Sequence, residues 1–171
     1  MIATTMIEIS KFSIPASDVQ IKRTVQALEA NNIHAIVAED GADAKKTLFE
    51  LIPANAEVFT SSSETLNALG LTEEMDKSGR YNSVREKLVM MDRKTQNREM
   101  EKLGATPEYM IGSVHAVTET GHVIIASKTG RQLAGYAASS LHLLWVFGTQ
   151  KIVPTLDDGM ERIEEYTLPL E

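Results

Sequence analysis

The stretch IHAIVAEDGADAKKTLFELIPANAEVFTSSSETLNALG, residues 33–70, decides the fold. IHAIVAE (33–39) reads as a strand, and Asp40-Gly41 breaks it. ADAKKTLFELI (42–52) then repeats apolar residues at helical spacing and stops at Pro53. AEVFTS (56–61) is a short strand, and SSETLNALG (62–70) a short helix with Gly70 just past its end. Upstream, Ser17 or Asp18 caps a helix that carries Val19, Ile21, Val25 and Leu28 toward Asn31-Asn32. Helix, strand, helix, strand and helix in close succession imply parallel strands joined by helical crossovers.

Working outward, residues 71–104 are polar, contain methionine and favour helix, with a break near Ser78-Gly79. EYMIG (108–112), HVIIAS (122–127), LHLLWVFG (141–148) and KIVPT (151–155) read as strands. SVHAV (113–117) reads as a turn, 128–136 as a Gly-containing loop, and LDDGMERIEEY (156–166) as a last helix. The later strands lie close together, so part of the sheet is expected to be antiparallel. The expected fold is a three-layer α/β/α sandwich with a mostly parallel mixed sheet, one domain over 1–171.

The 171 residues are 43% hydrophobic and 24% charged, which suits an ordinary globular chain with a real core. A net charge of −7 without a dense Lys/Arg run argues against nucleic acid as partner. The absence of cysteine excludes disulfides, a thiol nucleophile and a Cys-ligated iron–sulfur cluster on this chain. The N-terminal MIATTMIEISKF lacks the basic start and apolar core of a secretion signal. No apolar run approaches the ~18–20 residues that span a bilayer. The expectation is therefore cytoplasmic, with no membrane partner.

Three polar stretches stand beside strand ends. In TSSSETLNALG (60–70) Ser61, Ser62 and Ser63 open a helix, where free N–H groups favour an anion; simple capping is the alternative. In V-T-E-T-G, Glu119 precedes a strand and suits a nucleophile or base, or else belongs to a turn; Gly121 allows a close approach or a positive φ. Arg131, with Lys128 near it, suits a carboxylate or phosphate, or a solvated loop. His34, His115, His122 and His142 show no metal-ligand spacing, and His34 and His142 sit in strand-like runs where they are expected to be packed or partly buried. Neither a phosphate-binding G-x-x-x-x-G-K-[ST] loop nor a G-x-S-x-G elbow occurs.

Four blocks, TSSSETLNALGL (60–71), IGSVHAVTETGHVIIAS (111–127), GRQL (130–133) and LHLLWVFGTQKIVPTLDD (141–158), together resemble the LUD-domain family, the lactate-utilisation or DUF162 type. The resemblance is strongest over 17–165. It implies a fold similar to the NagB/RpiA/CoA transferase-like superfamily and a tie to lactate oxidation, beside partners that carry iron–sulfur clusters. It implies Ser61, Ser62, Ser63 and Arg131 as ligand-binding residues and Glu119 as the acidic, candidate catalytic position; Gly112 and Gly121 join them as candidate ligand-binding residues. AGYAASS (134–140) departs from the Leu/Pro-rich segment expected after the arginine, and the chain lacks the cysteine-rich extension of larger members. Three functions compete: an accessory subunit binding a small anion, a CoA-transferase or sugar-phosphate isomerase acting through Glu119, and a non-catalytic scaffold. The cofactor is unknown, and a homodimer is one way to cover a sheet edge.

Overall fold

The structure, a computed structural model, describes residues 10–128 and 130–170. Most of the N-terminal stretch read for a leader, and Thr129 of the arginine loop, lie outside these residues. The chain forms two compact units. One takes the residues up to Ala35, Val114–Ala126 and those from Gly148 onward; the other takes Ile36–Ser113 and Ser127–Phe147.

The second unit holds a four-stranded sheet. Its strands are β1 (Glu57–Thr60), β2 (Asn82–Ser83), β3 (Tyr109–Gly112) and β6 (His142–Trp145), in the order β2-β1-β3-β6. Every pairing in it is parallel, as the helical crossovers imply. The connections are α3 (Glu64–Ala68) and α4 (Leu71–Lys77) after β1, then α5 (Val84–Met90) and α6 (Arg93–Ala105) after β2. The break expected at Ser78-Gly79 separates α4 from β2, and Gly79 has φ +75°. Before β1, α2 (Gly41–Leu51) is capped by Asp40, whose Oδ1 accepts from the amides of Ala42 and Asp43. Leu48 and Ile52 of this segment join Val58, Leu66, Leu71, Met75, Tyr109 and Ile111 in one core.

The first unit holds β4 (Ala116–Thr118), β5 (Val123–Ile124) and β7 (Ile152–Val153), in the order β5-β4-β7. β4 pairs antiparallel with β5 and parallel with β7, which supplies the expected mixed character. Helix α1 (Asp18–Ala30) starts at a capping box in which Ser17 and Gln20 bond each other's backbone. Helix α8 (Leu156–Arg162) starts at a second box formed by Thr155 and Asp158. Gly159 lets α8 approach the sheet: a Cβ there would stand 2.2 Å from Ile124 Cδ1.

The α/β class and mostly parallel pairing hold, and the content fits a three-layer α/β/α sandwich. Several elements differ from the sequence reading. Residues 33–39 pair with no described strand; Ile36 and Val37 are exposed, and the Ala35 amide donates to Glu29 Oε1 at 2.8 Å instead of to a ladder. The expected turn 113–117 contains the start of β4, because Ala116 and Val117 are fully buried between β5 and β7. The strand expected over 122–127 keeps only Val123–Ile124. The expected loop 128–136 contains α7 (Arg131–Ala134), continued by a π-helical turn Gly135–Ser139. His34 and His142 are exposed rather than packed, although His142 stacks on Tyr109 at 4.5 Å between centroids.

Candidate functional site

In the second unit the polar residues gather where β1 and β3 end. Thr60 closes β1 and is fully buried. Its hydroxyl donates to Asp76 Oδ2 at 2.9 Å, and Ser83 donates to Asp76 Oδ1 at 2.9 Å. Arg85 completes this cluster: Nε lies 3.3 Å from Asp76 Oδ2, and NH2 donates to the Thr60 carbonyl at 2.6 Å. Asp76 is buried, whereas the Arg85 side chain keeps 35% of its surface exposed. The guanidinium is thus held by a buried carboxylate and a backbone carbonyl, on a side chain that stays partly exposed.

One residue further on, the buried Ser61 is tied differently. Its amide donates to the Ile111 carbonyl at 2.8 Å, extending the β1–β3 ladder. Its hydroxyl accepts from Tyr136 Oη at 2.8 Å. Burial raises the Tyr136 phenol above its ordinary value, against the opposing hydrogen bonds at Ser61 and Ser113, so the group is a neutral donor. Tyr136 stands on the π-helical turn and meets Trp145 edge-on at 5.7 Å. Its hydroxyl rests on Gly112, where a Cβ would come within 1.7 Å of Oη. Gly112 is therefore a seat for Tyr136. Ser63 is the N-cap of α3, accepting from the Leu66 amide, and Ser62 between them is exposed. Arg131 is exposed on α7, its NH2 3.5 Å from Glu101 Oε1.

Glu119 and Gly121 belong to the first unit, in the turn between β4 and β5. The Glu119 side chain is 14% exposed. Oε2 pairs with Arg23 NH1 at 3.2 Å, and Oε1 accepts from the Gln20 side-chain amide Nε2 at 3.1 Å. Both partners come from α1. The Glu119 amide donates to the Val153 carbonyl at 2.9 Å, so backbone and side chain are both engaged. Gly121 has φ +86°, as its position suggested, and a Cβ there would stand 2.9 Å from the Ala27 carbonyl oxygen. This geometry makes Glu119 a tie between the turn and α1.

Of the sequence-derived site residues, Ser61, Ser62, Ser63, Gly112 and Arg131 fall in the second unit. Ser61 and Gly112 meet around Tyr136. The sequence reading missed Asp76, Arg85 and Tyr136. Asp76 carried no signal: in LTEEMDK it lies five residues after Leu71, off the stripe of Leu71 and Met75, and reads like the neighbouring Glu73 and Glu74. Among the described residues no group of three or more His, Cys, Asp or Glu is placed to hold a metal ion. No helix among them is long and apolar enough to cross a membrane.

The LUD domain profile matches residues 21–171, nearly the whole chain. The chain belongs to the LUD-domain family. LUD domains are associated with lactate-utilisation proteins, and the α/β architecture described above agrees with the membership. Comparison with curated proteins and with solved structures gave no match. In this LUD domain the TSSS block forms the end of β1 and the cap of α3. The block containing E-T-G forms β3, β4, their connection and the β4–β5 hairpin. The G-T-Q-K-I-V block leads into β7.

Proposed function

We propose that this LUD domain is a cytoplasmic accessory subunit in the utilisation of lactate or a related hydroxy acid, which binds a small anion and leaves electron transfer to iron–sulfur partner proteins. The observation that carries the reading is Arg85, a partly exposed arginine pinned beside the carboxyl end of a parallel strand. Ligands of open α/β sheets bind outside the carboxyl ends of the strands. Arg85 is held there by buried Asp76 and by Thr60, two residues before the exposed Ser62. A cation positioned before the ligand arrives loses little freedom on binding. Ser62 and Ser63 would add hydroxyl donors. The lack of cysteine on this chain supports the assignment of clusters to a partner.

The test is thermal denaturation of the full chain against lactate, pyruvate, inorganic phosphate and coenzyme A. A ligand at 100 times its Kd stabilises the native state by ~2.7 kcal/mol. For a chain of this size that raises Tm by roughly 5–10 °C. The shift should shrink in Arg85→Met and in Ser62→Ala. No shift with any of the four, in protein shown to be folded, refutes the reading.

A further inference from the structure

The parallel sheet of the second unit ends at β6, and that end carries no guard. The His142 and Val146 amides donate to the carbonyls of Glu108 and Gly112, at 2.8 and 2.9 Å. By the alternation of a strand, the amides and carbonyls of Leu143 and Trp145 face the opposite way. No described strand lies on that side. Burial agrees with an edge: His142 is exposed and Leu143, Leu144 and Trp145 are partly buried, whereas all four residues of β3 are buried. Leu141, just before β6, keeps 74% of its surface exposed. An unpaired edge is a template for another chain, and proteins guard such edges with short strands, lysine or proline. The other three sheet ends are guarded. β2, β5 and β7 have two residues each, and β7 lies between Lys151 and Pro154. β6 has four residues and sits within 132–150, the longest stretch of the chain without Asp, Glu, Lys or Arg.

Charge and symmetry name the occupant. The chain carries a net charge of −7, so two copies repel over most of their surface. The uncharged β6 edge is where that repulsion is least, and a partner of opposite charge would gain nothing there. The edge is also complementary to itself. With two copies antiparallel about a twofold axis, Leu143 of one meets Trp145 of the other, and each pair exchanges both backbone bonds. Leu144 then stands opposite its own copy on the axis. This register uses every outward backbone group of Leu143 and Trp145. We propose that β6 is a homodimer interface, at which antiparallel β6–β6 pairing joins two copies of the four-stranded sheet into one. The opposite end of each sheet is the two-residue β2, so the assembly closes at two copies. β3 stands between β6 and β1, which keeps the contact away from Arg85; dimerisation is independent of anion binding there.

The experiment is sedimentation velocity of the full chain from low to high micromolar, with the emission of Trp145, its only tryptophan, followed over the same range. Monomer and dimer alone should be seen, and the emission should move to the blue as the dimer forms. Leu143→Pro removes an amide that the ladder to β3 does not use, a position where an edge strand accepts proline. It should be monomeric with an unchanged circular dichroism spectrum. Leu141→Lys, at an exposed position, decides where Leu143→Pro does not fold. It should weaken the dimer about tenfold, since the twofold removes the same cross-strand contact twice. The chain has no cysteine, so Leu144→Cys checks the register without interference. Directly opposed residues of a non-hydrogen-bonded pair have Cα atoms ~4.5 Å apart, within the disulfide range. Oxidised glutathione should link Leu144→Cys into a covalent dimer well before it links Val89→Cys, an exposed position on α5. A chain that stays monomeric throughout overturns the proposal. So does a dimer that persists in folded Leu143→Pro or undiminished in Leu141→Lys, and so does a Leu144→Cys that links no faster than Val89→Cys.

Discussion

Replacing Gly112 by alanine should be among the most damaging single-methyl changes in the second unit. The cause is space: the added Cβ would lie 1.7 Å from Tyr136 Oη, 2.5 Å from Tyr136 Cζ and 2.8 Å from Ser61 Oγ. Ser61 can rotate away, but an aromatic ring cannot yield by a small torsion. Tyr136 must therefore leave its seat. It then loses the bond to Ser61, worth about 1 kcal/mol net, and part of a burial worth roughly 1.5–3 kcal/mol for a large apolar side chain. The expected destabilisation is about 2–4 kcal/mol, or roughly 5–15 °C in Tm. Urea unfolding followed by circular dichroism measures it, with Tyr136→Leu and the double variant closing a cycle. Gly112→Ala should cost little once the ring is gone, giving a coupling of about 2–3 kcal/mol. Tyr136→Phe should rescue only in part, since the ring carbon remains in the way. Gly112→Ala within ~0.5 kcal/mol of the parent, or additive costs in the double variant, would refute the reasoning.

Asp76→Asn should destabilise by about 1–3 kcal/mol, because it weakens the bonds to Thr60, Ser83 and Arg85 together; an unchanged urea midpoint would count against the cluster as described. Arg23→Met should cost no more than ~1 kcal/mol, since its pair with Glu119 is largely solvated on the arginine side; a loss of several kcal/mol in the same assay would contradict that. Burial, and then the charge of Arg162, depress the Lys151 amine, which makes a pH prediction. The unfolded chain holds this proton up to the ordinary lysine value of 10.5 and the folded chain only to about 8, so stability rises with pH between them. The urea midpoint of the parent should therefore gain on that of Lys151→Met between pH 8 and 10; parallel profiles would show the amine to be unperturbed.

The fold was legible where local signals agreed with tertiary demand. Ser17 and Ser63 stand where caps were expected, the break at Asp40-Gly41 falls where α2 starts, and β1, β3 and β6 lie within their expected runs. Residues 33–39 show the limit of an apolar run, since Ile36 and Val37 have strand propensity but no pairing partner among the described residues. At 113–117 the polar start hid Ala116 and Val117, whose burial is decided by β5 and β7, one far away in sequence. The site was legible in fewer of its parts. The TSSS block and Gly112 could be singled out as motifs, but their meeting through Tyr136 depends on a residue 75 positions from Ser61.

The division of the chain has a consequence for its synthesis. The first unit takes its residues from three separate segments, and β4 pairs with a β7 that ends at Val153. On a ribosome α1 emerges early, yet the strand that completes its sheet appears more than a hundred residues later. At ~5–20 residues per second that is a wait on the order of ten seconds. The second unit, complete once Phe147 has emerged, has all its strands available before the first does. Folding during translation would then run against chain order, with the N-terminal helix the early arrival that must wait for the tail.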